Sequence, residues 1–594
     1  MERISYSLFM SKNVCPFEFK IHYNRVGYLP KFPKRFLCAV SKNECKYQSN
    51  LLKFFRETQT NTTPYKCKYQ SNLLKFFQKP EFVIKNSFGK IVCRGILSEA
   101  KYASYTEEFT FLGDFSELKE EGLFQIKILG FDELKNTETP FFEISNQWIF
   151  KELQSNIKSF YYQRSGFELT EKFAGKWNRP LAHKDDCLEF HQMMNRKGVW
   201  NAAGGWYDAG DYGKYIVNGG VSLFTLLLIC KLCESENFVG FKHFESSFSQ
   251  PFSLLEEAKF EIDFFLKMQD EDGGVFFKVS PKRWDAFVSP TESDFNQKRL
   301  ILGKSTTSAL NFAATLAFAS DVFKNYDSEF AEKCKSTSLK AYAWAKENNA
   351  IPFPNNTEGS GPYADWRFED EFFWTRTVFF SLGILPPEEE SLFEQDKKNL
   401  PPKFGADWRD TENLGWMILG IYGNEFAQKT LQNVAEEIIK KEKSDAYGIS
   451  LESFRWGSNG DIANHSLTLA LAYYWMRKPK YLKYALNGLD FIYGKNPISI
   501  SFVTGSANAS PKFPHHRLSH SDGVEEPIPG LLVGGINADR QDIHRRPHYP
   551  SHLPGFSYSD KQCSFASNET AINWNAPLLA LQALLFLFSK EPIE

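Results

Sequence analysis

Apolar residues recur with two different periods along this chain. From residue 17 to about 145, short β-branched and aromatic runs are separated by Gly, Pro and Asn, which is typical of strands in a small β-sandwich. The predicted strands lie at residues 21–30, 36–40, 81–84, 105–111 and 124–128. In the run 105–111, aromatic residues alternate with Thr and Glu, so the strand has one apolar and one polar face.

Beyond Trp148 the spacing of apolar residues becomes helical. Leu254, Ala258, Ile262 and Phe265 lie on one face of a helix, and residues 310–318 show the same period. Further helical runs lie near 223–233, 339–346, 370–382, 413–420, 431–440, 463–477, 481–493 and 571–588. The pattern predicts about a dozen helices after the strand region.

One segment of the strand region is duplicated. Residues 45–55 recur without change as residues 67–77. Two copies are too few for a solenoid, which generally needs about three or more repeats. We therefore predict an insertion of irregular structure.

Size, charge and cysteine content narrow the class of protein. A chain of 594 residues is too long for one ordinary domain. Because 70 basic and 72 acidic residues nearly balance, the chain has no net positive potential to attract nucleic acid or an anionic membrane, so a neutral or weakly charged substrate is expected.

The ten cysteines are irregularly spaced. Cys230 and Cys233 have the spacing of a redox or zinc pair, but their apolar helical run favours a buried helix.

Carboxylates occur in two unusual settings. Asp208 and Asp211 stand three residues apart in the glycine-rich turn 204–212. Near the C-terminus, Asp560 and Glu569 are nine residues apart and accompanied by aromatic residues. Hydrolysis of a glycosidic bond needs two such carboxyl groups, one carboxylic acid that protonates the leaving oxygen and one carboxylate that activates water.

At these residues the chain resembles glycoside hydrolase family 9, the inverting β-1,4-glucanases, and in particular the subgroup with an immunoglobulin-like domain ahead of the catalytic barrel. The resemblance rests on Asp208–Asp211, on a Pro-His-x-Arg element at 514–517, and on the pattern at 558–576. It implies a mainly α fold, with an immunoglobulin-like β-sandwich at residues 17–148 and an (α/α)6 barrel at 158–592.

The resemblance also assigns roles to residues. Asp211 is the expected general base, Asp208 the residue that holds the water, and Glu569 the general acid. Asp560 is expected to bind a sugar hydroxyl or give electrostatic support. Sugar hydroxyls around the scissile bond are expected to be bound by His515, His516 and Arg517. From the residues alone, the segment 208–211 is interpreted as a common surface turn, and Glu569 is interpreted as a residue that caps a helix.

The sequence predicts that Glu569 lies at the start of the last helix, where the helix dipole favours its ionised form. Apolar neighbours such as Phe565 and Trp574 would then have to keep it protonated.

Aromatic residues make up 16% of the chain, and most of the 57 Phe are expected to fill the core. Flat sugar faces pack on aromatic rings, and we call a ring that offers such a surface a sugar platform. The predicted sugar platforms are Trp206, Tyr207, Tyr212, Trp456 and Trp574.

The chain departs from the family pattern at Ala507 and Ala509, in the loop before the histidines. That difference bears on substrate choice more than on the acid and base.

The expected function is hydrolysis of β-1,4-glucosidic bonds in cellulose, cellodextrins or related β-glucans with inversion. Two alternatives remain open: an intracellular exo-acting β-glucosidase or glucosaminidase, and a carbohydrate-binding homologue with impaired catalysis. The intact Asp208, Asp211 and Glu569 argue against the second alternative.

No cofactor is expected for the chemistry. The resemblance implies a structural calcium ion, although no metal site can be read from the sequence. The expected partner is a β-glucan or cello-oligosaccharide, with no nucleic acid and no membrane, and the protein is expected to be a monomer.

The resemblance implies an extracellular enzyme. Residues 1–13 show no signal peptide, which keeps a cytoplasmic location open. The longest apolar runs fall short of the roughly 20 residues that span a bilayer.

Overall fold

The structure is a computed structural model that describes residues 20–41, 80–129, 137–234, 253–353, 355 and 358–591. The duplicated segments, 45–55 and 67–77, lie outside the described residues, so their irregular structure stays a prediction.

The described residues of the N-terminal part form two antiparallel four-stranded sheets. Its strands are β1 (Lys20–His22), β2 (Arg35–Ser41), β3 (Glu81–Asn86), β4 (Ile91–Ile96), β5 (Lys101–Ala103), β6 (Glu108–Asp114), β7 (Gly122–Ile128) and β8 (Phe142–Ile144). The orders are β1-β2-β6-β5 and β4-β3-β7-β8. Phe36 of one sheet and Phe82 of the other meet edge to face at 5.0 Å between ring centroids, and both are fully buried. This is the predicted β-sandwich.

Both faces of β6 are buried, each for a different reason. Phe111 packs inside the sandwich. On the opposite face, Glu108 accepts a hydrogen bond of 2.5 Å from the Tyr447 hydroxyl, and Thr110 donates one of 2.7 Å to the Ala446 carbonyl. The polar face predicted for this strand is therefore the contact surface with the helical part of the chain.

The remainder of the chain is mainly helical. Its helices are α1 (Gln147–Tyr162), α2 (Glu171–Ala174), α3 (Ile216–Glu234), α4 (Leu254–Lys267), α5 (Pro290–Asn296), α6 (Thr306–Phe323), α7 (Ser328–Glu347), α8 (Glu369–Ser381), α9 (Glu390–Asn399), α10 (Glu412–Ile421), α11 (Glu425–Ser444), α12 (Ser458–Met476), α13 (Pro479–Ile492), α14 (Arg517–Ser521), α15 (Phe565–Asn568) and α16 (Ile572–Lys590). The chain also forms five strands that were not predicted, β9 (Leu188–Phe190), β10 (Val199–Trp200), β11 (Lys214–Tyr215), β12 (Phe276–Pro281) and β13 (Arg299–Lys304).

Among the described residues, the twelve helices of ten residues or more form two rings. The inner ring is α3, α6, α8, α10, α12 and α16, and each inner helix packs against an outer one. Inner helices are enclosed by the rest of the protein, as α6 shows, because every one of its residues is buried. Outer helices such as α11 bury one stripe only, through Ala427, Leu431, Ala435 and Ile438. The predicted (α/α)6 class is confirmed.

Two inner helices, α3 and α16, are long and apolar enough to cross a membrane. Their apolar stretches are 94% and 89% buried inside the protein, which is the behaviour of core helices. Cys230 and Cys233 lie buried in α3, so the interpretation as a buried helix is confirmed.

The polar contact between sandwich and barrel yields a test. Thr110→Val keeps the side-chain shape but leaves the buried Ala446 carbonyl without its donor, which costs about 1–3 kcal/mol. We expect the free energy of unfolding, measured in urea, to fall by that amount. Thr430→Val removes a similar hydrogen bond on exposed α11 and should change stability by less than about 0.5 kcal/mol. Equal effects of the two substitutions would contradict the account.

Candidate active site

The turn that carries Asp208 and Asp211 is held by the segment that carries His515 and Arg517. The Arg517 amide donates a hydrogen bond of 3.0 Å to the Gly210 carbonyl, and its guanidinium donates a second of 2.9 Å to the same oxygen. A Cβ atom on Gly210 would lie only 1.9 Å from the His515 carbonyl oxygen. Only glycine allows this close approach of two backbones.

Glu569 joins the same backbone cluster. It lies in an extended segment between α15 and α16, next to His515, whose amide donates to the Asn568 carbonyl at 2.8 Å. The Gly210 amide lies close enough to the Glu569 carboxylate to lower its pKa. Three separate segments of the chain thus meet around Gly210.

The position of Glu569 differs from the sequence prediction. The residue follows the C-terminal end of α15 and stands three residues before Ile572, where α16 begins. The prediction that it starts the last helix is therefore wrong, because the chain runs extended through residues 569–571 before the helix begins. Burial, followed by the negative charge of Asp211, raises the pKa of Glu569 well above its usual value.

Asp208 is fully enclosed and hydrogen-bonded on both oxygens. Asn218 donates to one at 2.8 Å and the Tyr363 hydroxyl to the other at 2.6 Å. Burial raises the pKa of Asp208 to about 7, although both hydrogen bonds act to lower it. Asp208 therefore titrates near neutrality.

Asp211 has a different environment from Asp208. Its carboxylate accepts a hydrogen bond of 2.6 Å from the Gly213 amide. Burial raises the pKa of Asp211, whereas the Arg517 guanidinium and the Gly213 amide lower it. Arg517 also lowers the pKa of Glu569, but there burial and the negative charges of Asp211 and Asp208 act in the opposite direction, so the ionised form is favoured more at Asp211 than at Glu569.

These carboxylates line a cavity of about 1150 Å³, which we call the groove. Its aromatic walls are Tyr215, Trp284, Phe287, Tyr363, Trp366, Trp408, Trp456, Phe565 and Trp574. Trp456 and Trp574, two of the predicted sugar platforms, thus line the groove. Trp366 is 61% exposed, so its ring face is free for stacking with a flat pyranose.

Three predicted platforms do not reach the groove. Trp206 is buried and donates its indole N–H to Glu257 at 2.7 Å. The Tyr207 hydroxyl is 2.7 Å from His183 Nδ1, and Tyr212 donates to the Val288 carbonyl at 2.6 Å. All three pack behind the glycine-rich turn, where their polar atoms have internal partners, so the platform prediction is wrong for them.

Of the predicted polar ligands, His515 and Arg517 line the groove. His515 donates from Nδ1 to the Gln562 carbonyl at 2.6 Å, and burial lowers the pKa of its ring to about 4, so it is neutral at pH 7. Its Nε2 is then free of a proton and can accept from a sugar hydroxyl.

His516 and Asp560 lie outside the groove. His516 is buried, with Nε2 at 3.0 Å from the Gln163 side-chain oxygen. Asp560 accepts from the amides of Lys512 and Phe513 at 2.8 and 2.9 Å. Both residues hold the loop that carries His515. The prediction that His516 binds a sugar hydroxyl is wrong, because its ring is buried with internal partners. For Asp560, whose carboxylate is held by backbone amides, the alternative of electrostatic support stays a prediction.

Tyr363 is the residue of greatest consequence that the sequence analysis missed. Besides its bond to Asp208, its ring packs edge to face on Tyr215 at 4.7 Å and on Trp408 at 5.1 Å. Its φ of 42° is in the left-handed region, which costs energy in a non-glycine residue and is concentrated at functional sites. The Gly-Pro sequence just before it was the available signal for an irregular loop.

In the described part of the chain, no group of three or more His, Cys, Asp or Glu side chains is placed to hold a metal ion. The structural calcium implied by the resemblance stays a prediction.

A family model described as glycosyl hydrolase family 9 matches residues 151–582. The chain belongs to this family. It is therefore a glycoside hydrolase, and the matched range contains every groove residue named above.

Similar proteins share most of their length with this family 9 chain. It is 34% identical over 506 residues to the xyloglucan-specific endo-beta-1,4-glucanase BoGH9A of Bacteroides ovatus, covering 80% of this chain and 83% of that protein. It is 31% identical to a cellodextrinase of Butyrivibrio fibrisolvens, covering 86% and 96%. A solved structure of Bacteroides ovatus GH9 has a TM-score of 0.78 at 29% identity, covering 96% of this chain and 99% of that one.

The bond from Tyr363 to Asp208 predicts a shift in pH dependence. Tyr363→Phe removes a donor that stabilises the Asp208 carboxylate, so the pKa of Asp208 rises. Because activity that needs this carboxylate is lost as pH falls through its pKa, the acidic limb of kcat/KM should move to higher pH. The measurement is kcat/KM against pH on a soluble cello-oligosaccharide.

Tyr342→Phe serves as the control, since Tyr342 is bonded to Glu389 outside the groove. An acidic limb that stays in place in Tyr363→Phe, or moves equally in both variants, would refute the role given to Tyr363.

Proposed function

We propose that this protein hydrolyses β-1,4-glucosidic bonds of a glucan with inversion of the anomeric centre. Asp211 is the general base, Asp208 orients the attacking water and Glu569 is the general acid. The observation that carries the proposal is the meeting of three carboxylates around Gly210, with Asp208 and Asp211 buried and Glu569 half-buried, in the lining of an aromatic groove.

The pKa values support this division of roles. Burial and the charge of Asp211 raise the pKa of Glu569 and so favour its protonated form, which can donate a proton to the leaving oxygen. Arg517 favours ionised Asp211, which can then take a proton from water. A pair of groups whose environments push their pKa values apart is what acid and base catalysis require.

The groove supports a neutral polysaccharide as substrate. Its tryptophans offer flat apolar faces, and His515, Arg517 and the carboxylates offer hydrogen-bonding groups for hydroxyls. The two curated relatives named above are an endoglucanase and a cellodextrinase, which both fit a β-1,4-linked glucose backbone. A monomeric, extracellular enzyme fits the resemblance and stays part of the proposal.

Two substitutions separate the acid from the base. Glu569→Gln keeps the side-chain shape without the proton, so hydrolysis of substrates with poor leaving groups should fall by about 10²-fold or more. Aryl glycosides with acidic phenols need less protonation and should lose much less. Asp211→Asn removes the base and should slow both substrate types alike, because water must be activated in either case. The measurement is kcat on an aryl cellobioside and on cellotetraose.

Glu437→Gln, an exposed glutamate on α11, is the matched control and should leave both rates unchanged. If Glu569→Gln and Asp211→Asn slow the aryl glycoside equally, the acid assignment fails.

A further inference from the structure

The sheet formed by β9 to β13 places a buried lysine behind the catalytic turn. Its strand β11 directly follows the turn and pairs with β12 so that Tyr215 stands opposite Lys278. Lys278 is fully buried and is not among the residues that line the groove. Because burying a charge costs free energy, a lysine in this position needs partners that compensate that cost.

The first partner of Lys278 is the loop that carries Tyr363. The Lys278 ammonium donates a hydrogen bond of 3.2 Å to the Gly361 carbonyl, which also accepts one of 2.6 Å from the Tyr215 hydroxyl. Two residues further on, Tyr363 donates to Asp208 and packs its ring on Tyr215 at 4.7 Å. Lys278 and Tyr215 thus fix one backbone oxygen at the base of the loop that serves Asp208.

The same loop lies between β12 and the catalytic turn. On the β12 side, the Ser360 hydroxyl donates to the Ser280 hydroxyl at 2.9 Å. On the other side, a Cβ atom on Gly213 would lie 2.9 Å from the Ser360 side chain and 3.0 Å from a carboxylate oxygen of Asp211. The strand and the turn therefore enclose the loop, and the Lys278 ammonium comes near enough to Asp211 for their charges to interact.

This interaction favours opposite charges on the two residues. Burial lowers the pKa of Lys278 to about 8, and the charge of Asp211 raises it, so the ammonium form prevails below that pH. Against the burial that raises the pKa of Asp211, Lys278 lowers it, as do Arg517 and the Gly213 amide. Charged and titratable groups that face Asp211 are Asp208, Tyr215, Lys278, Arg299, Arg517 and Glu569, and those that face Lys278 are Asp211 and Glu358.

Lys278 differs from Arg517 in its access to substrate. Arg517 lines the groove, where sugar hydroxyls can reach it, whereas Lys278 lies behind the groove wall. Substrate binding therefore leaves the hydrogen bond and the charge of Lys278 in place.

We propose that Lys278 is a positioning residue for the hydrolysis, which anchors the loop of Tyr363 and supplies a fixed positive charge behind the general base Asp211. The inference rests on the proposed function, since it needs Asp211 to act as the base. Lys278 acts through Asp211 and Gly361 and touches no substrate.

The test removes the charge without shortening the side chain. Lys278→Met loses the charge and the hydrogen bond but keeps an apolar chain that suits a buried position, while Lys278→Arg keeps both. Loss of the charge raises the pKa of Asp211, and loss of the anchor weakens the bond from Tyr363 that lowers the pKa of Asp208. Activity that needs these carboxylates is lost as pH falls through their pKa values. In Lys278→Met the acidic limb of kcat/KM on cellotetraose should therefore move up by about 1 pH unit, and KM should change by less than about twofold.

Lys278→Arg should keep the acidic limb at its wild-type position. Lys282→Met, at an exposed lysine just after β12, is the matched control and should also leave it there. The inference is overturned if the limb of Lys278→Met does not move, or if Lys278→Arg moves it equally far. Loss of the fold in Lys278→Met, seen by circular dichroism, would assign the residue to stability alone and overturn it as well. A wild-type protein that does not hydrolyse cellotetraose or any other β-1,4-glucan would instead contradict the proposed function.

Discussion

The close contact of two backbones at Gly210 is the constraint on which the site depends. The carbonyl of Gly210 accepts two hydrogen bonds from Arg517. Because no side chain fits at this position, the turn that carries Asp211 lies directly against the segment that carries His515, which in turn is bridged to Glu569. The relative position of Asp211 and Glu569 is thus set by main-chain atoms, which do not change rotamer.

The helical barrel excludes water from this contact, and that exclusion raises the pKa values of the carboxylates. Desolvation is the largest cause of the raised pKa values of Asp208, Asp211 and Glu569. Specific partners then distinguish the three groups: Tyr363 and Asn218 act on Asp208, Arg517 lowers the pKa of Asp211, and the charge of Asp211 raises that of Glu569. The β-sandwich packs its polar face on the barrel through Glu108 and Thr110. Its Tyr105 also packs edge to face at 5.2 Å on Phe454, which directly precedes the groove residues Arg455 and Trp456.

Periodicity was enough to predict a strand-rich part followed by about a dozen helices. The arrangement of those helices as an (α/α)6 barrel came from the resemblance to the family, because helical spacing does not determine how helices are placed around one another. The turn with Asp208 and Asp211 was likewise assigned to catalysis by the resemblance, since alone it is a common surface turn.

Properties that depend on packing between distant segments could not be predicted. Trp206 and Tyr207 flank the catalytic turn in sequence, yet their side chains point away from the groove and bind Glu257 and His183. Tyr363 enters the site from a loop with no recognisable catalytic motif. Sequence neighbours of a motif are therefore poor guides to which side chains face the substrate.

The central claim is that Asp211 activates a water molecule while Glu569 protonates the departing oxygen from across the scissile bond. Such a mechanism places the nucleophilic water on the face opposite the leaving group, so one displacement inverts the anomeric carbon. Proton NMR of the hydrolysis of a β-linked cello-oligosaccharide, recorded before mutarotation, reads the first-formed anomer directly. The account predicts that the α-anomer appears first at the new reducing end; first appearance of the β-anomer would contradict it.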